Sequence, residues 1–311
     1  GAAGGRGPTP AAPQPPKADA EIERLKLEAE IERLKLEQLK MRQADAPAVA
    51  ADKPSPPDAG TVKTETGPKV VKPEGGRQVA LVIGNGAYQA LTRLPTPAND
   101  ARRMATALTA AGYEVEVGTD LNRTAMAERL AQFYAAARGA QVALFYFSGH
   151  GVQVNGRNFL LPVDASFREA GASLDIEARA IELQKFLNAA SGARTTVAFV
   201  DACRDNPLLD ESMAKTLYKG VGATKGLAVI KREELSSGQF VGFAAEEGRT
   251  AQTGTGEVST YTAALLRNLS EKGLDISVLH RRVRRQVEEE THGSQSPRAV
   301  DDLREEFVLI P

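Results

Sequence analysis

Four uninterrupted apolar runs constrain the fold of this chain more than any other feature of its sequence. They are RQVALVIGN at 77–85, QVALFYFSGHG at 141–151, TTVAFVDAC at 195–203 and GQFVGFAA at 238–245. A strand with one wet face alternates polar and apolar residues. A short run with no polar phase belongs to a strand covered on both faces, and such strands belong to parallel sheets. The segments between the runs have helical spacing. Helices are predicted over 99–111, with Asn99 as its N-cap, over 123–138 (Met126, Leu130, Phe133, Tyr134), and over 180–191, 259–271 and 275–290. YEVEVGTD at 113–120 alternates and reads as a strand nearer an edge, and EEFVLI at 305–310 reads as a final strand. Strand–helix alternation of this kind requires crossover connections. It predicts an α/β fold with a mostly parallel sheet and helices on both faces.

The rest of the chain is made differently. All 16 aromatic residues lie from Tyr88 onward, and 11 of the 17 prolines lie in residues 1–77. A Pro/Ala-rich segment without aromatics buries too little apolar surface to offset the entropy of ordering it. Residues 1–77 are therefore predicted to be a largely disordered tether, and the globular part is 78–311. Within the tether, EIERLKLE occurs at 21–28 and again at 30–37, which predicts one charged helix over about 20–43. A period of nine turns a helix by half a revolution, so equivalent leucines fall on opposite faces. Leu27, Ile31, Leu34, Gln38 and Met41 still trace a short heptad seam, which offers self-association through 21–43 beside the plainer reading of a solvated helix.

In open parallel sheets, chemistry collects beyond the carboxyl ends of the strands. The first run leads into Gly84-Asn85-Gly86-Ala87-Tyr88. GxGxxG fails there because Gln89 replaces the third glycine, and no GK[ST] follows, so a nucleotide loop is excluded. The second run ends in Ser148-Gly149-His150-Gly151 and the third in Asp201-Ala202-Cys203-Arg204. These endings hold the chain's single cysteine and one of its three histidines. An imidazole beside a thiol accepts its proton, stabilises the thiolate and later protonates a departing amine. The backbone N–H groups of Gly151 and Cys203 are candidate oxyanion donors, and Gly149 and Gly151 would let a peptide approach closely. From the residues alone, a small buried cysteine and a satisfied histidine remain an equal alternative.

LVIGNGAY, ANDA, FYFSGHG and DACRDNP, with STYTAALL at 259–266 and the stretch at Gln295-Ser296-Pro297, together resemble the caspase-like cysteine peptidases. The similarity covers about 78–310 and is closest to the bacterial metacaspase-like, or orthocaspase, branch. Arg204-Asp205 stand where eukaryotic metacaspases tend to have His-Ser. The aspartate-binding arginine of true caspases has no clear counterpart, since Arg93 lies between Thr92 and Leu94. The resemblance implies a three-layer fold with a six-stranded, mostly parallel sheet. It implies a large part at about 78–207, a junction loop at about 208–237 and a small part at about 238–311. It also implies a His150–Cys203 dyad and a pocket for a basic side chain lined by Asp100 and Asp201. Two carboxylates suit Arg or Lys and reject Asp or Glu; the plainer alternative is Asp100 as a helix cap and Asp201 as a structural hydrogen-bond acceptor. On an extended strand Asp201 and Cys203 share a face. The family's habit of self-cleavage at the junction makes Lys215, Lys219, Lys225, Lys231 and Arg232 candidate cleavage positions.

Other classes are excluded on simple grounds. One cysteine makes no internal disulfide and no multi-cysteine metal site. With His150, His280 and His292 and no HExxH, no resident metal is expected. No cofactor is required on this reading. Calcium is left open as an activator, although no DxDxDG loop is present. A net charge of −1 gives no reason to expect nucleic acid, and no apolar run approaches the roughly 20 residues of a membrane span. Expected partners are protein or peptide substrates with basic residues, and nothing in the chain assigns a compartment. The principal alternative to an enzyme is a catalytically silent caspase-like scaffold assembled through the N-terminal helix.

Overall fold

The computed structural model describes residues 76–167, 176–203, 223–224, 227–228, 230–245 and 257–310. The tether up to residue 75, with its expected helix, lies outside them. In chain order the elements are β1 (Gln78–Gly84), α1 (Pro97–Ala110), β2 (Glu114–Thr119), α2 (Arg123–Ala137), β3 (Val142–Val154) and β4 (Arg157–Leu160). Next come α3 (Ile176–Arg179), β5 (Ile181–Glu182), α4 (Leu183–Ala190), β6 (Thr195–Cys203) and β7 (Ala223–Thr224). A 3₁₀ turn (Arg232–Glu234), β8 (Gln239–Phe243), α5 (Thr260–Leu269), α6 (Ile276–Glu290) and β9 (Arg298–Asp301) complete the series.

The main sheet runs β2-β1-β3-β6-β8-β9. Its pairs are parallel except β8–β9, which is antiparallel. The apolar runs have no polar phase because both phases are buried. Val79, Leu81 and Ile83 share a core with Met126 and Phe133 of α2 and Phe186 of α4. Ala80 and Val82 face the other way, into a core with Met104 of α1, Leu265 of α5 and Val283 of α6. At about 1.5–3 kcal/mol for each fully buried large side chain, neither phase tolerates a polar substitute. The expected three-layer α/β architecture is therefore present.

Several expectations are corrected. EEFVLI is not a sheet strand. Phe307, Val308 and Leu309 are buried, but they close the end of the helical layer, where Asp275 and Val308 form an isolated bridge. The sixth strand of the main sheet is RAVD at 298–301, half exposed and without an apolar run, as an edge strand can be. Asn99 is not a cap: α1 starts at Pro97 after Thr96, as the fixed φ of proline favours, and the Asn99 amide donates to Glu257 O at 2.7 Å. The helix expected at 180–191 is a two-residue strand, Ile181–Glu182, followed by the shorter α4. The second run, expected as a strand that stops at Gly149, continues to Val154 and turns back into β4. Asn155 and Gly156, at φ 51° and 78°, form that two-residue turn, which an Asn-Gly pair favours.

The glycines after β1 serve packing. A Cβ at Gly84 would lie 2.0 Å from Pro97 O, and one at Gly86 would lie 2.4 Å from Leu94 O. They let α1 and its approach loop lie against the end of the strand. Asp120 then fixes that loop, its Oδ1 accepting from Gly86 N at 2.9 Å and Ala87 N at 2.8 Å.

Candidate active site

The β3–β6 ladder pairs Val142 with Thr195 and keeps register to its last rung, His150 opposite Cys203. Neighbouring strands lie about 4.8 Å apart, so the sheet brings the two residues side by side at its carboxyl edge. No loop is needed to unite them. The unbroken register from Val142–Thr195 to the end of β6 decides it.

The His150 ring is buried at 3% exposure, and its Nε2 lies 2.7 Å from Thr92 O. A carbonyl only accepts, so Nε2 carries the proton and Nδ1 presents a lone pair. Nδ1 is buried and has no hydrogen-bond partner among the described residues. Burial pushes the imidazole pKa down to about 4, against the opposing bond to Thr92 O, so the neutral form prevails at pH 7. The ring rests on Tyr88, centroids 4.4 Å apart and planes tilted by 42°.

The flanking glycines are occupied by the protein's own atoms rather than left open for substrate, which corrects the expectation. A Cβ at Gly149 would lie 2.8 Å from Tyr88 Oη, and one at Gly151 would lie 2.9 Å from Leu227 Cδ2. The Gly151 backbone is differently placed. Leu161 N donates to His150 O at 3.0 Å, which makes 150/161 a hydrogen-bonded rung and the next pair, Gly151/Leu160, a non-bonded one. The Gly151 N–H therefore turns to the β6 side, where Cys203 is the last paired residue.

Asp100, in the first turn of α1, and Asp201, on β6, are buried at 0% and 5% exposure. Ser148 Oγ donates to Asp100 Oδ2 at 2.9 Å, and Ser259 N donates to Asp100 Oδ1 at 2.8 Å. Ser259 Oγ and Thr262 Oγ1 both donate to Asp201 Oδ2, the latter at 2.7 Å. Neither carboxylate has an ion-pair partner among the described residues. Burial, and then the charge of Asp201, push the Asp100 pKa up to about 7; burial also raises Asp201. The two expected pocket residues are thus brought together as a buried acid pair. The N-terminus of α5, capped by Ser259, clamps it.

The caspase domain, a peptidase family, matches residues 77–308. The chain belongs to that family. A mouse (Mus musculus) relative, the mucosa-associated lymphoid tissue lymphoma translocation protein 1 homolog, is 30% identical over 103 residues. That stretch is 33% of this chain but only 12% of the mouse protein, so the similarity concerns a small section of that relative.

In this caspase domain the far end of the junction is anchored beside the site. β7 pairs with Gln153 and Val154 of β3, Leu227 is buried at 1% exposure, and Asn158 Nδ2 donates to Ala228 O at 3.1 Å. Ala228 N donates back to Asn158 Oδ1. Lys215, Lys219 and Lys225 lie outside the described residues, as do Arg204 and Asp205. Lys231 is exposed. Arg232 sits in the 3₁₀ turn with its Nε 2.9 Å from Asp302 Oδ1, and both constraints must be undone before an extended segment can be cut there. Among the described residues no group of three or more His, Cys, Asp or Glu is arranged to hold a metal ion. No described helix is long and apolar enough to cross a membrane.

Sequence reasoning missed Tyr88, Thr92, Ser148, Ser259 and Thr262. Ser259 is marked in the sequence only as the start of the helix expected over 259–271. Thr92 acts through its main chain, which no side-chain pattern reports.

Proposed function

We propose that this caspase domain is a cysteine endopeptidase of the metacaspase-like, orthocaspase branch that cleaves after Arg or Lys. The supporting observation is the terminal β3–β6 rung, with His150 Nε2 tied to a carbonyl and Nδ1 unengaged. In this reading the Cys203 thiol passes its proton to Nδ1, and the thiolate attacks the scissile carbonyl carbon. The Gly151 and Cys203 N–H groups take the developing oxyanion. The imidazolium then protonates the departing amine as the C–N bond breaks, leaving a thioester that water hydrolyses with His150 again as base. Thr92 O holds the ring in the tautomer that this sequence of transfers needs. Asp100 and Asp201 receive the substrate's basic side chain, which supplies the positive charge the buried pair lacks. The junction carries the basic residues for self-processing. Of the two described candidates, Lys231 is exposed, whereas the Arg232 side chain is paired with Asp302.

Purified wild type and Cys203→Ala protein, incubated with fluorogenic peptides ending in Arg, Lys or Asp, with and without calcium, test the reading. Cleavage after Arg and Lys by wild type alone is expected. Preference for Asp, or equal cleavage by both proteins, refutes it. Intact-mass measurement of the same samples tests self-processing, since identical fragments from both proteins rule it out.

A further inference from the structure

We propose that Tyr88 is a positioning residue for His150, its hydroxyl inserted into the rung that would otherwise join β3 directly to the chain beyond β4. The β3–β4 ladder runs from Val154–Arg157 to Gly151–Leu160, so the next rung pairs His150 with Leu161. A regular rung of this kind exchanges two direct N–H···O bonds. Here only one is direct, Leu161 N to His150 O at 3.0 Å. The other passes through the phenol: His150 N donates to Tyr88 Oη at 2.7 Å, and that hydroxyl donates to Leu161 O at 3.2 Å. A phenolic oxygen does both, and a phenylalanine does neither.

The insertion contributes to the need for a neighbouring glycine, because a side chain at position 149 would run into Tyr88 Oη as well as Phe147 Cζ, each 2.8 Å from its Cβ. It also gathers three holds on one residue into the single loop 85–96. Tyr88 Oη holds the His150 main chain, the Tyr88 ring lies against the imidazole, and Thr92 O fixes Nε2. Closing the rung directly would draw β3 toward Leu161 at the residue whose ring position the chemistry depends on. A residue present only to fill space predicts the opposite behaviour. Tyr88 is 1% exposed and packs with Val152 and Val163, and a phenylalanine would fill that volume.

The proposal rests on His150 acting with Cys203, and its test separates the two ideas. The chain has one cysteine, so alkylation by iodoacetamide reports Cys203 alone. Tyr88→Phe is expected to lower kcat on an Arg peptide by about 10- to 100-fold with little change in KM, as a small misplacement of a reacting group does. The pH midpoint of Cys203 alkylation is expected to move by about half a unit or more, with melting still cooperative. An unchanged alkylation profile, whether kcat is normal or falls only with the folded fraction, overturns the proposal. If wild type cleaves no peptide, the peptidase reading fails and the alkylation profile alone decides Tyr88: a shift upholds the positioning role and no shift overturns it. If Tyr88→Phe does not fold, 3-fluorotyrosine at position 88 keeps the shape and weakens the acceptor, and the same profile decides.

Discussion

Replacing Asp100 with Asn removes one of two carboxyl groups that share a buried space, and the consequence for substrate binding can be worked out in advance. Burial and the nearby Asp201 raise Asp100 to about 7, so a pocket empty of substrate holds a proton at mildly acid pH. A guanidinium or ammonium requires the carboxylate, so this proton must leave when a basic side chain enters. About nine-tenths of Asp100 is protonated at pH 6 and about one-tenth at pH 8, so selection for a basic side chain should strengthen roughly tenfold between them. The assay is kcat/KM for an Arg peptide divided by that for the matched Ala peptide. The division cancels the pH dependence of the dyad. The wild-type ratio should rise with pH and level off near 8. The Asp100→Asn ratio should lose most of that rise and at pH 8 lie at least about 30-fold lower, the loss that follows removal of one member of a buried charge pair. A wild-type ratio constant from pH 6 to 8, or a variant that keeps the slope, refutes the reasoning. Folding stability gives an independent reading. A carboxyl whose pKa is raised by folding favours the folded state below its unfolded value near 3.9, and that contribution is lost as pH rises through about 7. Asp100→Asn should therefore melt above wild type at pH 8, with the gap narrowing toward pH 5.

Three further outcomes follow from the same geometry. His150 is depressed to about 4 by burial, so its stabilising contribution is present above its unfolded value near 6.5 and is lost as pH falls through about 4; His150→Gln should move the midpoint of acid unfolding to lower pH, and an unmoved midpoint would count against the burial. Asn158→Ala removes both bonds to Ala228 and should cost about 1–3 kcal/mol in urea unfolding, through buried main-chain groups left unsatisfied; a loss below about 0.5 kcal/mol would show that the clasp is idle. Gly84→Ala sets a methyl 2.0 Å from Pro97 O, a backbone atom that cannot swing aside. It should destabilise by about 3 kcal/mol or more, and a wild-type melting temperature would refute that packing.

Much of the fold was legible because the two packed faces of a parallel sheet leave a direct trace. Four runs without a polar phase can be satisfied only by strands with helices on both sides, and they are β1, β3, β6 and β8. The Asn-Gly turn at 155–156 carried the signal for the β3–β4 hairpin, although the apolar run masked it. β9 carried none, since an edge strand buries too little to need an apolar pattern, while Phe307–Leu309 are apolar for burial and not for pairing. The same holds at the site. His150, Cys203, Asp100 and Asp201 could be marked from their positions at strand and helix ends. The rung that sets His150 beside Cys203 depends on a register 53 residues apart in sequence. Whether the two acids would meet depended on where α1 and β6 pack, and Ser259 reaches them only because α5 docks there. The holds on the imidazole, a main-chain carbonyl at Thr92 and a phenol in a broken rung at Tyr88, belong to a loop without periodicity. Local sequence determined which segments become strands and which reactive groups stand at their ends, because burial and alternation act over a few residues. The tautomer of His150 and the protonation of Asp100 were decided by the tertiary structure, because each depends on desolvation and on partners supplied by distant segments of the chain.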